Sequence, residues 1–126
     1  MKEIISTNNA PAAVGPYSQA VKSGNLLFCS GQIALDPASG VLTGSDIRAQ
    51  TEQVMQNISA VLTASGATFD DAVKTTCFLA DINDFAKFNT VYAKYFTGKP
   101  ARSCVAVSAL PKGALVEVEV IAIIGK

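Results

Sequence analysis

Two periods run through the apolar and polar positions of this chain. Alternation with a period of two marks residues 100–107, PARSCVAV, and 115–124, which contains VEVEV. Strand side chains repeat every two residues, so Arg102, Cys104 and Ala106 share one face and Ser103, Val105 and Val107 the other. In the last strand Val116, Val118 and Val120 oppose Glu117 and Glu119. Shorter strand candidates are residues 3–6, 19–23, 26–35 and 72–80. Gly24-Asn25 between two of them is a two-residue hairpin signal. A 3.6-residue period begins near residues 45–47, where Ile47, Thr51, Val54, Ile58, Val61 and Leu62 form a stripe. Thr43 and Asp46 stand at capping-box spacing, with Ser45 an equal cap candidate, and Ser65-Gly66 supplies the stop. A second helix, capped by Asp81 or Asp84, carries Phe85, Phe88, Tyr92 and Tyr95 or Phe96 as its stripe.

The element order is βββαβαββ. Each helix has one apolar face, so both are expected on one side of a single mixed sheet, an α+β fold. Each joins strands of that sheet in a βαβ crossover. The other sheet face is expected to carry Val and Cys rather than charge, with no helix left to cover it. Self-association into a closed barrel of sheets would cover it.

Composition narrows the picture. The 126 residues read as one domain, 1–126, with no repeat or linker. The chain is 49% hydrophobic and 16% charged, which favours homo-oligomerisation. Ten acidic and ten basic side chains balance, leaving no electrostatic footprint for nucleic acid. No apolar run reaches membrane-spanning length, and MKEIIST lacks a signal-peptide core. The absence of histidine removes a Ser-His-Asp triad, a Cys-His pair and a His-ligated metal. The three cysteines, Cys29, Cys77 and Cys104, form no CxxC pair and lie in apolar runs, so neither a disulfide framework nor a metal site is expected. A reducing, cytoplasmic compartment follows.

Several residues carry chemistry. Arg102 is a long cation opening an otherwise small and apolar strand. With Glu117, read as lying on a neighbouring strand, it makes either a small-anion site or an edge salt bridge. Pro16 presents Tyr17 in a fixed direction. Tyr17 is either a ligand contact or a packed aromatic. Ser30-Gly31 inside a strand marks a bulge or a close approach to the backbone. Asn89 borders an apolar helix stripe and needs a partner, either a backbone group or a ligand.

GPYSQA (15–20), CSGQI (29–33), PARSCVAV (100–107) and LPKG with VEVE beyond it together resemble the RidA (YjgF/YER057c/UK114) family over nearly the whole chain. The resemblance implies a chorismate-mutase-like fold, a homotrimer with clefts between subunits, and hydrolysis of 2-imino acids to 2-oxo acids and ammonia without metal or cofactor. The substrates would be enamine and imine products of pyridoxal-phosphate dehydratases. It implies that Arg102 grips the substrate carboxylate through two parallel hydrogen bonds, and that Glu117 positions or activates water. Tyr17, Ser30, Gly31 and Asn89 would line the pocket, Tyr17 from the chain neighbouring Arg102. Cys104 would contribute backbone contact and packing, not a nucleophile. The short TGK loop, with Lys99 where an aromatic often precedes the proline, leaves side-chain preference open. A non-catalytic 2-oxo acid or carboxylate binder uses the same pocket. A ribonuclease or translation inhibitor fits poorly with neutral charge and no histidine, and a holdase chaperone rests on apolar composition alone.

Overall fold

The computed structural model describes residues 1–125. Six strands and two helices follow in the expected order: β1 (Lys2–Ile5), β2 (Ala20–Ser23), β3 (Leu26–Gln32), α1 (Ile47–Ala64), β4 (Ala72–Leu79), α2 (Phe85–Tyr95), β5 (Ala101–Ala106) and β6 (Val116–Ile123). They build one mixed sheet in the order β1-β2-β3-β6-β4-β5. β2 and β3 form the expected hairpin, with Gly24 at φ +60° in its turn. β4 and β5 run parallel, joined by the α2 crossover.

The last strand enters the middle of the sheet, antiparallel to β3 on one side and to β4 on the other. Its Val116, Val118, Val120 and Ala122 are buried almost completely. β4 therefore separates β5 from β6, and the expectation that Arg102 and Glu117 sit on neighbouring strands is wrong. A central strand needs a continuous row of small branched side chains on its covered face, and β6 supplies one.

Both helices lie on one face. Every residue of the α1 stripe from Ile47 to Leu62 is buried, joined by Gln50, Met55 and Asn57. The cap is Asp46, one residue past Ser45 and three past Thr43; its Oδ1 accepts the Ala49 N–H at 2.8 Å. Gly66, at φ +79°, ends the helix in a Schellman arrangement: its N–H meets the Thr63 carbonyl, and that of Ala67 meets Leu62. Before α2, Asp81 caps a single 3-10 turn by accepting the Asn83 N–H at 2.9 Å, and Asp84 makes no side-chain cap bond. Phe88, Val91, Tyr92 and Phe96 are buried, whereas Phe85 of the expected stripe is exposed at the helix start. β3 also stops at Gln32 rather than Leu35, because a register shift between Cys29 and Gln32 tilts the chain out of the ladder.

The uncovered face differs from expectation. Cys29, Cys77 and Cys104 face the helices instead, on the side defined by Val118 and Val120. The open face carries Ile4, Val21, Phe28 and Ile121 in one row across four strands, with Leu26 and Val105 nearby. It also bears Lys74, Glu117 and Glu119. Ile4 is 60%, Val105 46% and Phe28 43% exposed. Among the described residues no helix is long and apolar enough to cross a membrane.

Candidate functional site

The β3 bulge builds the first of two hollows. Against β6, Cys29 pairs with Val120 and Gln32 with Val118, so one extra residue is accommodated around Ser30-Gly31. Its purpose is visible at Glu117: a Cβ on Gly31 would lie 2.0 Å from the Glu117 Oε2. Only glycine lets that carboxylate lie against the backbone. Ser30 secures the loop preceding β2, its hydroxyl donating to the Ser18 carbonyl at 2.6 Å and its N–H to Gln19 at 3.0 Å. Tyr17 stands on that loop, 54% exposed, with its N–H turned back to the Gly15 carbonyl at 3.0 Å. Tyr17, Ser30, Gly31, Lys112, Glu117 and Glu119 all line a cavity of about 610 Å³. Among the described residues Glu117 has no hydrogen-bond or ion-pair partner. Burial, and secondarily the charge of Glu119, pushes its carboxyl above the usual range.

Gln19, which sequence reasoning passed over, holds the loop in place. Its buried amide accepts the Thr7 N–H at 2.7 Å and donates to the carbonyls of Thr7, Ala10 and Pro11. The only signal was a polar residue at the mouth of an apolar strand.

The second hollow lies between α2 and β5. Arg102 pairs in register with Thr75, and its side chain lies on the helix-covered face. One guanidinium N–H donates to the Asn89 Oδ1 at 2.7 Å. The guanidinium carbon sits 4.8 Å from the Tyr92 ring centroid and 5.5 Å from that of Phe85. Tyr92 is fixed from below by a 2.7 Å hydroxyl contact with the buried Thr75 and by stacking on Phe96. Burial, opposed by the Thr75 hydrogen bond, pushes the Tyr92 hydroxyl up. Asn89 thus serves neither a backbone group nor the helix itself; it aims the arginine. Tyr92 and Phe85 were legible as helix aromatics but not as the arginine's platform.

No carboxylate pairs with Arg102 among the described residues, so within one chain it makes no edge salt bridge. Four of its five N–H donors remain for a ligand. Cys104, two residues on and on the same face, is half-buried. Its thiol is pushed up by burial, with Arg102 opposing. Cys29 and Cys77 are pushed up to about 12, chiefly by burial. None is poised as a thiolate.

Asn89, Tyr92, Thr97, Lys99, Pro100 and Arg102 border this cavity of about 450 Å³. Lys99 adopts φ +54° although it precedes Pro100, where extended backbone is favoured. That conformation costs about 1–3 kcal/mol in a non-glycine residue. Within one chain the hollows do not meet. Arg102 and Val105 point to opposite faces of β5, while Val105, Phe78 and Glu117 share one face in register. The structure therefore brings Tyr17, Ser30, Gly31 and Glu117 together, and separately Arg102 and Asn89.

The sequence and this fold match known proteins closely. The model of the Endoribonuclease L-PSP family matches residues 7–124. A RutC family protein of Pyrococcus horikoshii is 55% identical over 123 residues, 97% of this chain and 98% of its own. The mouse 2-iminobutanoate/2-iminopropanoate deaminase is 46% identical over 126 residues, covering 99% and 93%. A crystal structure of a conserved Rid family protein from Yersinia pestis superposes with a TM-score of 0.95 at 54% identity, covering 98% of this chain and all of that one. The chain belongs to the RidA (YjgF/YER057c/UK114) family, whose matching model carries the Endoribonuclease L-PSP description. Names within the family divide among deaminase, RutC and endoribonuclease.

Proposed function

We propose that this protein hydrolyses reactive 2-imino and enamine acids, released by pyridoxal-phosphate dehydratases, to 2-oxo acids and ammonia. It does so without metal or cofactor, in a cleft completed between protomers of a homotrimer. The carrying observation is Arg102: aimed by Asn89, stacked over Tyr92 and lacking any carboxylate partner among the described residues. A guanidinium so held fits a substrate carboxylate through two parallel hydrogen bonds. The name of the mouse relative supports the same chemistry.

The iminium carbon of such a substrate is already electrophilic, so a positioned water suffices. Glu117, seated against Gly31 in the neighbour's hollow, takes a proton from that water as its oxygen bonds to the carbon. The carboxyl then returns that proton to the nitrogen of the carbinolamine. As the C–N bond breaks to release ammonia, the hydroxyl oxygen closes the C=O bond, its proton passing to the freed carboxylate and on to the ammonia. Tyr17 and Ser30 border the cleft from the same side as Glu117, and Cys104 contributes packing beside Arg102. Covering the apolar face bearing Phe28 and Val105 supplies the driving force for assembly. Three free thiols suit a reducing cytoplasm.

The test couples threonine dehydratase, which generates 2-iminobutanoate, to semicarbazide trapping of the remaining imine. Catalytic amounts of this protein should lower the semicarbazone yield, and Arg102→Ala should abolish the effect while leaving assembly intact. Undiminished semicarbazone with folded, assembled protein would leave only a carboxylate binder. Glu117→Gln separates the two readings, losing turnover while retaining 2-oxo acid binding.

A further inference from the structure

The strained lysine beside the arginine has no role in the chemistry above. Lys99 holds a left-handed backbone in front of a proline, although glycine at that position would be free of strain. Its N–H donates to the Phe96 carbonyl at 3.2 Å, which ties the strained turn to the end of α2. Gly98 lies immediately before it, so the chain has placed its glycine one position away from the strain. Backbone strain of this kind persists where surrounding structure imposes it, and it gathers at ligand clamps.

The surroundings give the side chain a purpose. Among the described residues, Arg102 and Lys99 are the only charged ones bordering the α2–β5 hollow, and no carboxylate borders it. Beside the turn, the Asp70 Oδ1 would stand 3.8 Å from a Cβ at Gly98, and Asp70 lies outside the hollow's lining. Three residues of extended chain separate the two cations by about 10 Å at most between Cα atoms. Two long side chains over that span reach both ends of a short dicarboxylate.

We infer that Lys99 is a specificity residue that receives a second carboxylate on the substrate's side chain. The favoured substrates are then 2-imino acids bearing a side-chain carboxylate a few carbons from the imine. This inference rests on the reading of Arg102 as the receptor for the first carboxylate.

The probes are 2-oxoglutarate and 2-oxobutanoate, product analogues with and without the second carboxylate, titrated calorimetrically into the assembled protein. An ion pair at a partly solvated site is worth about fivefold in affinity. Wild-type protein should bind 2-oxoglutarate about fivefold tighter than 2-oxobutanoate. Lys99→Met should bring the ratio to about one, and Lys99→Arg should keep it. A ratio unchanged in Lys99→Met, with 2-oxobutanoate binding still dependent on Arg102, would overturn the Lys99 assignment and leave the Arg102 reading standing. Binding of neither acid in an Arg102-dependent way would overturn both.

Discussion

At Gly31 the missing side chain is the functional feature. A Cβ there would collide with Glu117 Oε2. The obstacle is the end of a flexible side chain, so Gly31→Ala should fold and displace the carboxylate instead. The expected result is a fall in kcat/KM on the order of 10²-fold, the scale of a lost general base, with thermal unfolding little changed. Glu117 itself carries a pH signature. Its carboxyl lies above the usual range through burial and the charge of Glu119. As a base it must be ionised, so activity should rise as pH climbs through that raised value. In Glu119→Gln the repelling charge is gone, Glu117 ionises at lower pH, and the acid limb of the profile moves down. An unmoved limb would assign it to another group.

Among the elements, the loop between β1 and β2 depends on one amide. Gln19→Ala removes four hydrogen bonds and takes this partner from the buried carbonyl of Ala10 and the partly buried backbone groups of Thr7 and Pro11. Denaturant unfolding should show a loss of about 2–3 kcal/mol, and KM should rise because Tyr17 rides on the same loop. Elements also mark where sequence reading ran out. Every residue read into the α1 stripe is buried, since helical period is local and only one face meets the sheet, although Gln50, Met55 and Asn57 join it without a signal of their own. The alternation of VEVEV likewise predicted which valines are buried. The place of β6 between β3 and β4 was not legible, because the partner of a strand is set by packing between segments far apart in the chain. The pairing of Asn89 with Arg102 was hidden for the same reason: each was noticed, but the sequence does not say which helix faces which strand. Phe85 shows the opposite error, an apolar residue in phase with the stripe that lies under the arginine at the solvent rim.

For the molecule as a whole, the open sheet face sets the expected assembly. Ile4, Phe28 and Val105 leave an apolar surface that neither helix covers. Val105→Glu places a charge on that surface at an edge strand, with no buried neighbour lost. Sedimentation should show protomers where the wild type shows a larger species, and imine hydrolysis should disappear with assembly. Retained activity in a dispersed variant would mean that one chain suffices.

The separation of Arg102 and Glu117 onto opposite faces of the sheet also has a genetic meaning. If every cleft takes its arginine half from one chain and its glutamate half from another, two inactive alleles can complement. Co-expressed in equal amounts, Arg102→Ala and Glu117→Gln chains that mix at random should restore about one quarter of the clefts. A single chain carrying both lesions would behave differently. It would spoil the two clefts it shares with healthy neighbours, and such an allele would be dominant.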